Sequence, residues 1–167
     1  KGWTFVHSLV QETLKRQAEF SGVRQEHHKA VATMLEGREG VANRLGRHLF
    51  HAGELEASID VLLDGAWQSL RDSRIELAWD LIMLREKALT TLSIPQSDLR
   101  WSEGWMAKER FFSSRKLFPA VLEVVDLILE KTEHTPNAEN IRAMAMFRRG
   151  TIQRLMAKPS EARETLL

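Results

Sequence analysis

Histidine is the side chain that binds a metal, passes a proton or meets an anion near neutral pH, and this chain places its six unevenly. His27 and His28 are adjacent, and His48 and His51 stand one helical turn apart. Imidazoles on two successive helices invite a metal reading, but neither the H-E-x-x-H helix of a zinc site nor the paired E-x-x-H helices of a di-iron bundle is present. No metal is expected, and the histidines read as polar rim or helix-end residues. The same stretch carries Arg38, Arg44 and Arg47, and a second basic run, Arg142, Arg148, Arg149 and Arg154, lies near the end. Arginine's planar fork matches a carboxylate or a phosphate, so Arg44, Arg47, His48, His51, Arg142 and Arg149 are candidate partner-binding residues. Trp101 and Trp105, one turn apart with Phe111, Phe112 and Phe118 downstream, are candidates of another kind. They form either an apolar groove for a partner helix or peptide, or part of the core.

Catalysis is not expected. Ser8 beside His7 and the Ser113-Ser114 pair supply hydroxyls, but no nucleophile elbow or oxyanion glycine cluster accompanies them. The chain has no cysteine, which excludes disulfides, thiolate nucleophiles and Cys-based zinc sites. No G-x-x-x-x-G-K-[ST] loop occurs, so no ATP chemistry and no cofactor is expected of this chain. The 24 Lys and Arg nearly cancel the 23 Asp and Glu, which leaves no global field to hold nucleic acid or an anionic membrane. With 43% hydrophobic and 28% charged residues the composition is that of an ordinary folded domain. No apolar run approaches the roughly 20 residues that span a bilayer. The chain starts at Lys1 with apolar patterning under way, and it is expected to be a piece of a longer cytoplasmic protein.

The elements that must position these residues are helical. Gly40 to Ala66 reads as two amphipathic helices folded back over a turn at Gly53, with Val41, Leu45, Leu49 and Ala52 on one stripe and Leu55, Ile59, Leu62 and Leu63 on the other. Glycine costs a helix interior about 1 kcal/mol against alanine, so Gly46 marks a place where a neighbouring helix comes close. Small Ser58 follows twelve residues later, then Leu62 and Gly65, in the manner of a tetratricopeptide-type repeat. The same offset recurs at Ala66 and Ala78 and at Gly150 and Ala162, and with a large first residue at Lys108 and Ala120. The second helix of the hairpin is predicted to run on through Trp67 and Leu70 to Arg71, and further helices are predicted over 6–19, 23–36, 75–92, 99–116, 118–133, 139–157 and 160–167. Ser73 to Glu76 reads as a capping box, Asp98 as an N-cap, and Pro119 as a first-turn proline. The two-sided apolar patterning of 75–92 predicts a helix sandwiched between neighbours. The expected fold is all-α, an irregular α-solenoid of eight or nine helices with no internal strand.

Three runs carry a family resemblance. Phe5-x-His7-x-Leu9-Val10-x-Glu12, His28-x-x-Val31-Ala32-x-x-Leu35-Glu36 and His48-x-x-x-Ala52-Gly53-Glu54 resemble the segment after the nucleotide-binding module of bacterial STAND-type ATPases, the class of MalT-like regulators and ATPase-linked serine/threonine kinases. The resemblance implies that residues 1–36 are the tail of a winged-helix-like module, ending in a strand around Trp3 to Phe5, plus linking helices. Residues 37–167 would be a tetratricopeptide-like stack, and His7 would be the residue to meet a nucleotide phosphate in the parent protein. The expected function is non-catalytic: a regulatory scaffold that binds a protein or peptide, another domain of the same polypeptide, or a second copy of itself as a homodimer. The alternative from another class is a helical nucleic-acid-binding domain of a transcriptional regulator.

Overall fold

The computed structural model describes Thr13 and residues 23–156, and among them there are seven helices and no strand. They are α1 (Arg24–Leu35), α2 (Ala42–His51), α3 (Leu55–Arg71), α4 (Ile75–Thr91), α5 (Leu99–Ser114), α6 (Phe118–Lys131) and α7 (Glu139–Leu155). The described residues are all-α, and each of these helices ends within a turn of its predicted bounds. The strand near Trp3, the helix predicted over 160–167, His7 and Ala162 lie outside the described residues, as does the helix of 6–19 except for Thr13, which is helical. Every helix packs on its neighbours in the chain, and α2 also meets α4, α3 meets α5 and α5 meets α7.

The tightest approach is between α2 and α3. A Cβ on Gly65 would lie 2.8 Å from both the Cα and the N of Asn43, and one on Gly46 would lie 3.0 Å from the Leu62 backbone nitrogen. Position 46 faces 62 while 43 faces 65, so the two helices run antiparallel with their backbones nearly touching. Ser58, Ala66, Ala78 and Gly150 are buried as well, while Ala120 is half-buried. The predicted sandwich at α4 is also real. Ala78, Leu81, Ile82, Ala88 and Leu89 are buried within it, and its buried Arg85 ties three helices together. The Arg85 Nε–H donates to the Ile59 carbonyl on α3 at 3.2 Å, Nη1 donates to the Arg100 carbonyl on α5, and Nη2 lies 3.5 Å from the Glu103 carboxylate. Burial lowers the pKa of this guanidinium, and Glu103 works against that shift.

One turn type closes α2, α3, α4 and α5. Gly53, Ser73, Ser93 and Lys116 all have φ between +56° and +81°, and the residue after each donates its N–H five residues back: Glu54 to Leu49, Arg74 to Ser69, Ile94 to Leu89 and Leu117 to Phe112. This is the Schellman closure of a helix C-terminus. Ser73 is therefore the left-handed residue that ends α3 and not the cap of α4. The predicted capping box does not form, because Arg74 occupies the N-cap and makes no side-chain capping bond. Asp98 does cap α5, accepting from the Arg100 N–H at 3.0 Å, and Pro119 sits in the first turn of α6.

Gly65→Ala tests the close approach. The methyl meets main chain that has no rotamer to yield, so the roughly 1 kcal/mol gain in helix propensity is outweighed and a net loss of about 1–3 kcal/mol is expected in urea unfolding.

Candidate functional site

Helix α2 has two faces with different tasks. Leu45, Gly46 and Leu49 lie toward the core, whereas Arg44, Arg47, His48 and His51 recur at i, i+3, i+4 and i+7 along another side. Helix α1 supplies Arg24 and His28, one turn apart. It is fastened to the end of α2, where the Gln25 Nε2–H donates to the Ala52 carbonyl at 2.7 Å and Lys29 pairs with Glu54 at 3.0 Å. Ala32 and Leu35 complete its buried side. The two polar faces then enclose an open cup of about 340 Å³ lined by Arg24, His28, Arg44, Arg47, His48 and His51, with no carboxylate among the described lining residues.

The three imidazoles are in direct association. His28 Nδ1 lies 3.0 Å from His48 Nδ1, and the His28 ring centre is 4.9 Å from that of His51. One of the two Nδ1 atoms must donate and the other accept, so the pair cannot be doubly protonated at Nδ1. Burial is the largest influence on all three, and positive neighbours act in the same direction. His28 is lowered to about 4 by burial and then by His51, His48, Arg24 and His27. His48 is lowered by burial, Arg44 and Arg47, and His51 by burial, Arg24, Arg47, His48 and Lys87. At neutral pH the cup therefore holds three cationic guanidinium groups and three neutral imidazoles. A second hollow of about 350 Å³ adjoins it, sharing Arg47 and His51 and adding Asp80, Met83, Leu84 and Lys87 from α4.

Of the residues singled out in the sequence, Arg44, Arg47, His48 and His51 are thus brought together. His27 is exposed outside the cup lining, and among the described residues no group of three or more His, Asp or Glu is arranged to hold a metal ion. The tryptophans require correction. Trp101 and Trp105 are 6% and 3% exposed, and the Trp101 indole N–H donates to the Ile94 carbonyl at 3.0 Å, so they build the core and offer no groove. The second basic run is largely committed inside the fold. Arg142 Nη1 donates to the Leu129 carbonyl at 2.7 Å near the end of α6, Arg149 pairs with Asp126 at 3.2 Å, and Arg148 pairs with the buried Glu109 at 2.6 Å. Arg142 and Arg149 are therefore each engaged with α6. Arg24 was missed, although its i, i+4 relation to His28 matches the relation of Arg44 to His48.

Two expected outcomes follow from these electrostatics. His28 has a folded-state pKa below its unfolded value, so the stability it permits is complete above about pH 6.5 and is lost as pH falls toward about 4. Urea midpoints measured at pH 7.5 and 5 should fall more for the native chain than for His28→Gln. Separately, Arg148→Met leaves the Glu109 carboxylate buried without its cation and should cost about 3 kcal/mol, part of which Glu109→Gln in the same chain recovers.

The chain matches no protein-family model, no curated protein and no solved structure, so the chemistry of these side chains is what bears on its function.

Proposed function

We propose that this chain is a non-catalytic interaction segment, an open-ended stack of tetratricopeptide-like helix hairpins, that docks an acidic stretch of a protein partner or of another domain in the same polypeptide. The supporting observation is the α1–α2 cup, where Arg44 and Arg47 lie beside three histidines and no carboxylate stands among the described lining residues. Packing of helices on chain neighbours and next neighbours, the left-handed turn repeated at Gly53, Ser73, Ser93 and Lys116, and the inward small residues fit a stack that grows by adding hairpins. The resemblance to the segment following a STAND-type nucleotide module suggests a setting in which docking at the cup biases an upstream ATPase or kinase in the cytoplasm.

A basic cup is preferred to nucleic-acid binding as the reading because its charge is concave and local. The overall net charge is only +1, and a groove-tracking surface needs an extended basic stripe. Fluorescence anisotropy with a labelled glutamate-rich peptide tests the proposal on the whole chain. Binding should weaken several-fold between about 50 and 300 mM salt as exposed charges are screened. The double substitution Arg44→Glu and Arg47→Glu should reduce affinity by at least about tenfold, while Arg154→Glu leaves it unchanged. Equal binding by the double variant, or tighter binding to a labelled DNA duplex than to the peptide, would remove the proposal.

A further inference from the structure

The cup has a neighbour of different chemistry. The adjoining hollow of about 350 Å³ shares Arg47 and His51 with it, so one short segment lying across α2 reaches both spaces. The described lining of the cup is arginine and histidine throughout. The hollow is completed instead by Asp80, Met83, Leu84 and Lys87, which recur at i, i+3, i+4 and i+7 along one face of α4. Met83 and Leu84 are half-buried and pack against the buried cluster shared by α3, α4 and α5, so what they leave open is apolar surface. The Lys87 ammonium stands over the Phe50 ring of α2, 5.8 Å from its centre, and is already engaged with an aromatic face. Asp80 is exposed at the same hollow and repels a second carboxylate there.

Resting on the docking function proposed above, we infer that the acidic partner segment also carries a leucine-sized apolar residue, two positions from the acidic residue that meets Arg44 and Arg47, and that this side chain is seated in the α2–α4 hollow against Met83 and Leu84. An extended peptide turns residues i and i+2 to one side about 7 Å apart, while i+1 points the other way. Hollows that share a wall therefore take alternate residues. Charge alone gives an acidic segment no register on a basic face, since one carboxylate replaces the next at little cost. An apolar side chain with a single place to go fixes that register, and Asp80 penalises the segment that offers a carboxylate in its stead. The unbranched stem and soft sulfur of Met83 adapt to the shape of the incoming side chain, so the hollow selects apolar size.

The experiment is competition against the labelled glutamate-rich peptide on the full chain. Three capped peptides compete: Leu-Ser-Glu-Ser-Leu, Ala-Ser-Glu-Ser-Ala, and Ser-Leu-Glu-Leu-Ser, which has the composition of the first with the spacing shifted by one. Their symmetry serves either chain direction. The first is expected to displace the label at a concentration at least about fivefold lower than either of the others, as burial of a leucine side chain implies. Its advantage over the alanine peptide should stay the same between about 50 and 300 mM salt, because apolar contact is not screened. Met83→Gln should remove most of that advantage and leave displacement by the alanine peptide unchanged, whereas Met83→Leu keeps it. A readout that needs no folded glutamine variant is the Met83 methyl resonance in methionine-labelled chain, assigned by its loss in Met83→Leu, which should shift with the leucine peptide and not with the alanine one.

Equal displacement by the leucine and alanine peptides overturns the inference and leaves acidic docking standing. Equal displacement by the shifted peptide overturns the two-residue register, and a leucine advantage that survives Met83→Gln or leaves the Met83 methyl unmoved overturns the assignment to this hollow. Failure of the glutamate-rich peptide itself to bind overturns both the docking function and the inference.

Discussion

The absence of side chains at Gly46 and Gly65 lets the backbones of α2 and α3 lie against each other, and much of the site follows from that contact. A ten-residue helix pressed so closely on one neighbour has its rotation about its own axis fixed. Once Gly46 faces α3, Arg44, Arg47, His48 and His51 are turned away from it, toward the side where α1 arrives. A glycine pair is thus a more stringent device than an apolar stripe, since Leu and Val tolerate some rolling of one helix over another whereas main chain in contact with main chain does not. The cationic face is a consequence of packing on the opposite side. Its geometry is inherited from positions that carry no chemistry.

The turns impose a second constraint. Each of the four left-handed residues reverses the chain with one unfavourable φ and recovers a hydrogen bond to the end of the preceding helix. After Gly53, Ser73 and Lys116 the next helix begins within two residues, which leaves little freedom in the angle between successive helices. Only Ser93 leads into a longer connection, through Pro95 to the cap at Asp98. There the chain adds its own fastening, with the Asp98 carboxylate accepting from both Nε and Nη2 of Arg100, and Arg100 Nη1 reaching Glu56 on α3 at 2.7 Å. The Arg100 hydrogen bonds hold the Asp98 carboxyl below its usual range.

Helix positions were legible in the sequence because the apolar spacing is regular and loops such as Ile94 to Asp98 contain strong breakers. Turn chemistry was legible at Gly37, Gly40 and Gly53, where the left-handed residue is a glycine. Serine and lysine at the equivalent places carry no such signal, and Ser73 happened to stand three residues before a glutamate, which imitates a capping box. The tryptophans were ambiguous for a related reason. Helical spacing shows which residues share a face, but not whether another helix covers that face, and Trp101 and Trp105 are covered. Arg85 was invisible, since an arginine in an amphipathic helix reads as surface, and its burial depends on carbonyls supplied by residues 26 positions earlier and 15 later.

The two arginine groups show how far composition falls short of electrostatics. Each is a run of cations on one helix, yet the group on α7 meets Asp126, Glu109 and the carbonyl end of α6, whereas the group on α2 meets Arg24 and histidines. A charge that finds a partner within the fold is compensated there and has less to offer an incoming anion. Burial first, and neighbouring positive groups after it, lower the pKa of His28, His48 and His51, so the rings beside these arginines are neutral where free imidazoles would begin to charge. Gln25 and Lys29 hold α1 beside them through their contacts with Ala52 and Glu54. The same residue type, read from sequence as one kind of basic run, thus sits in two different electrostatic settings.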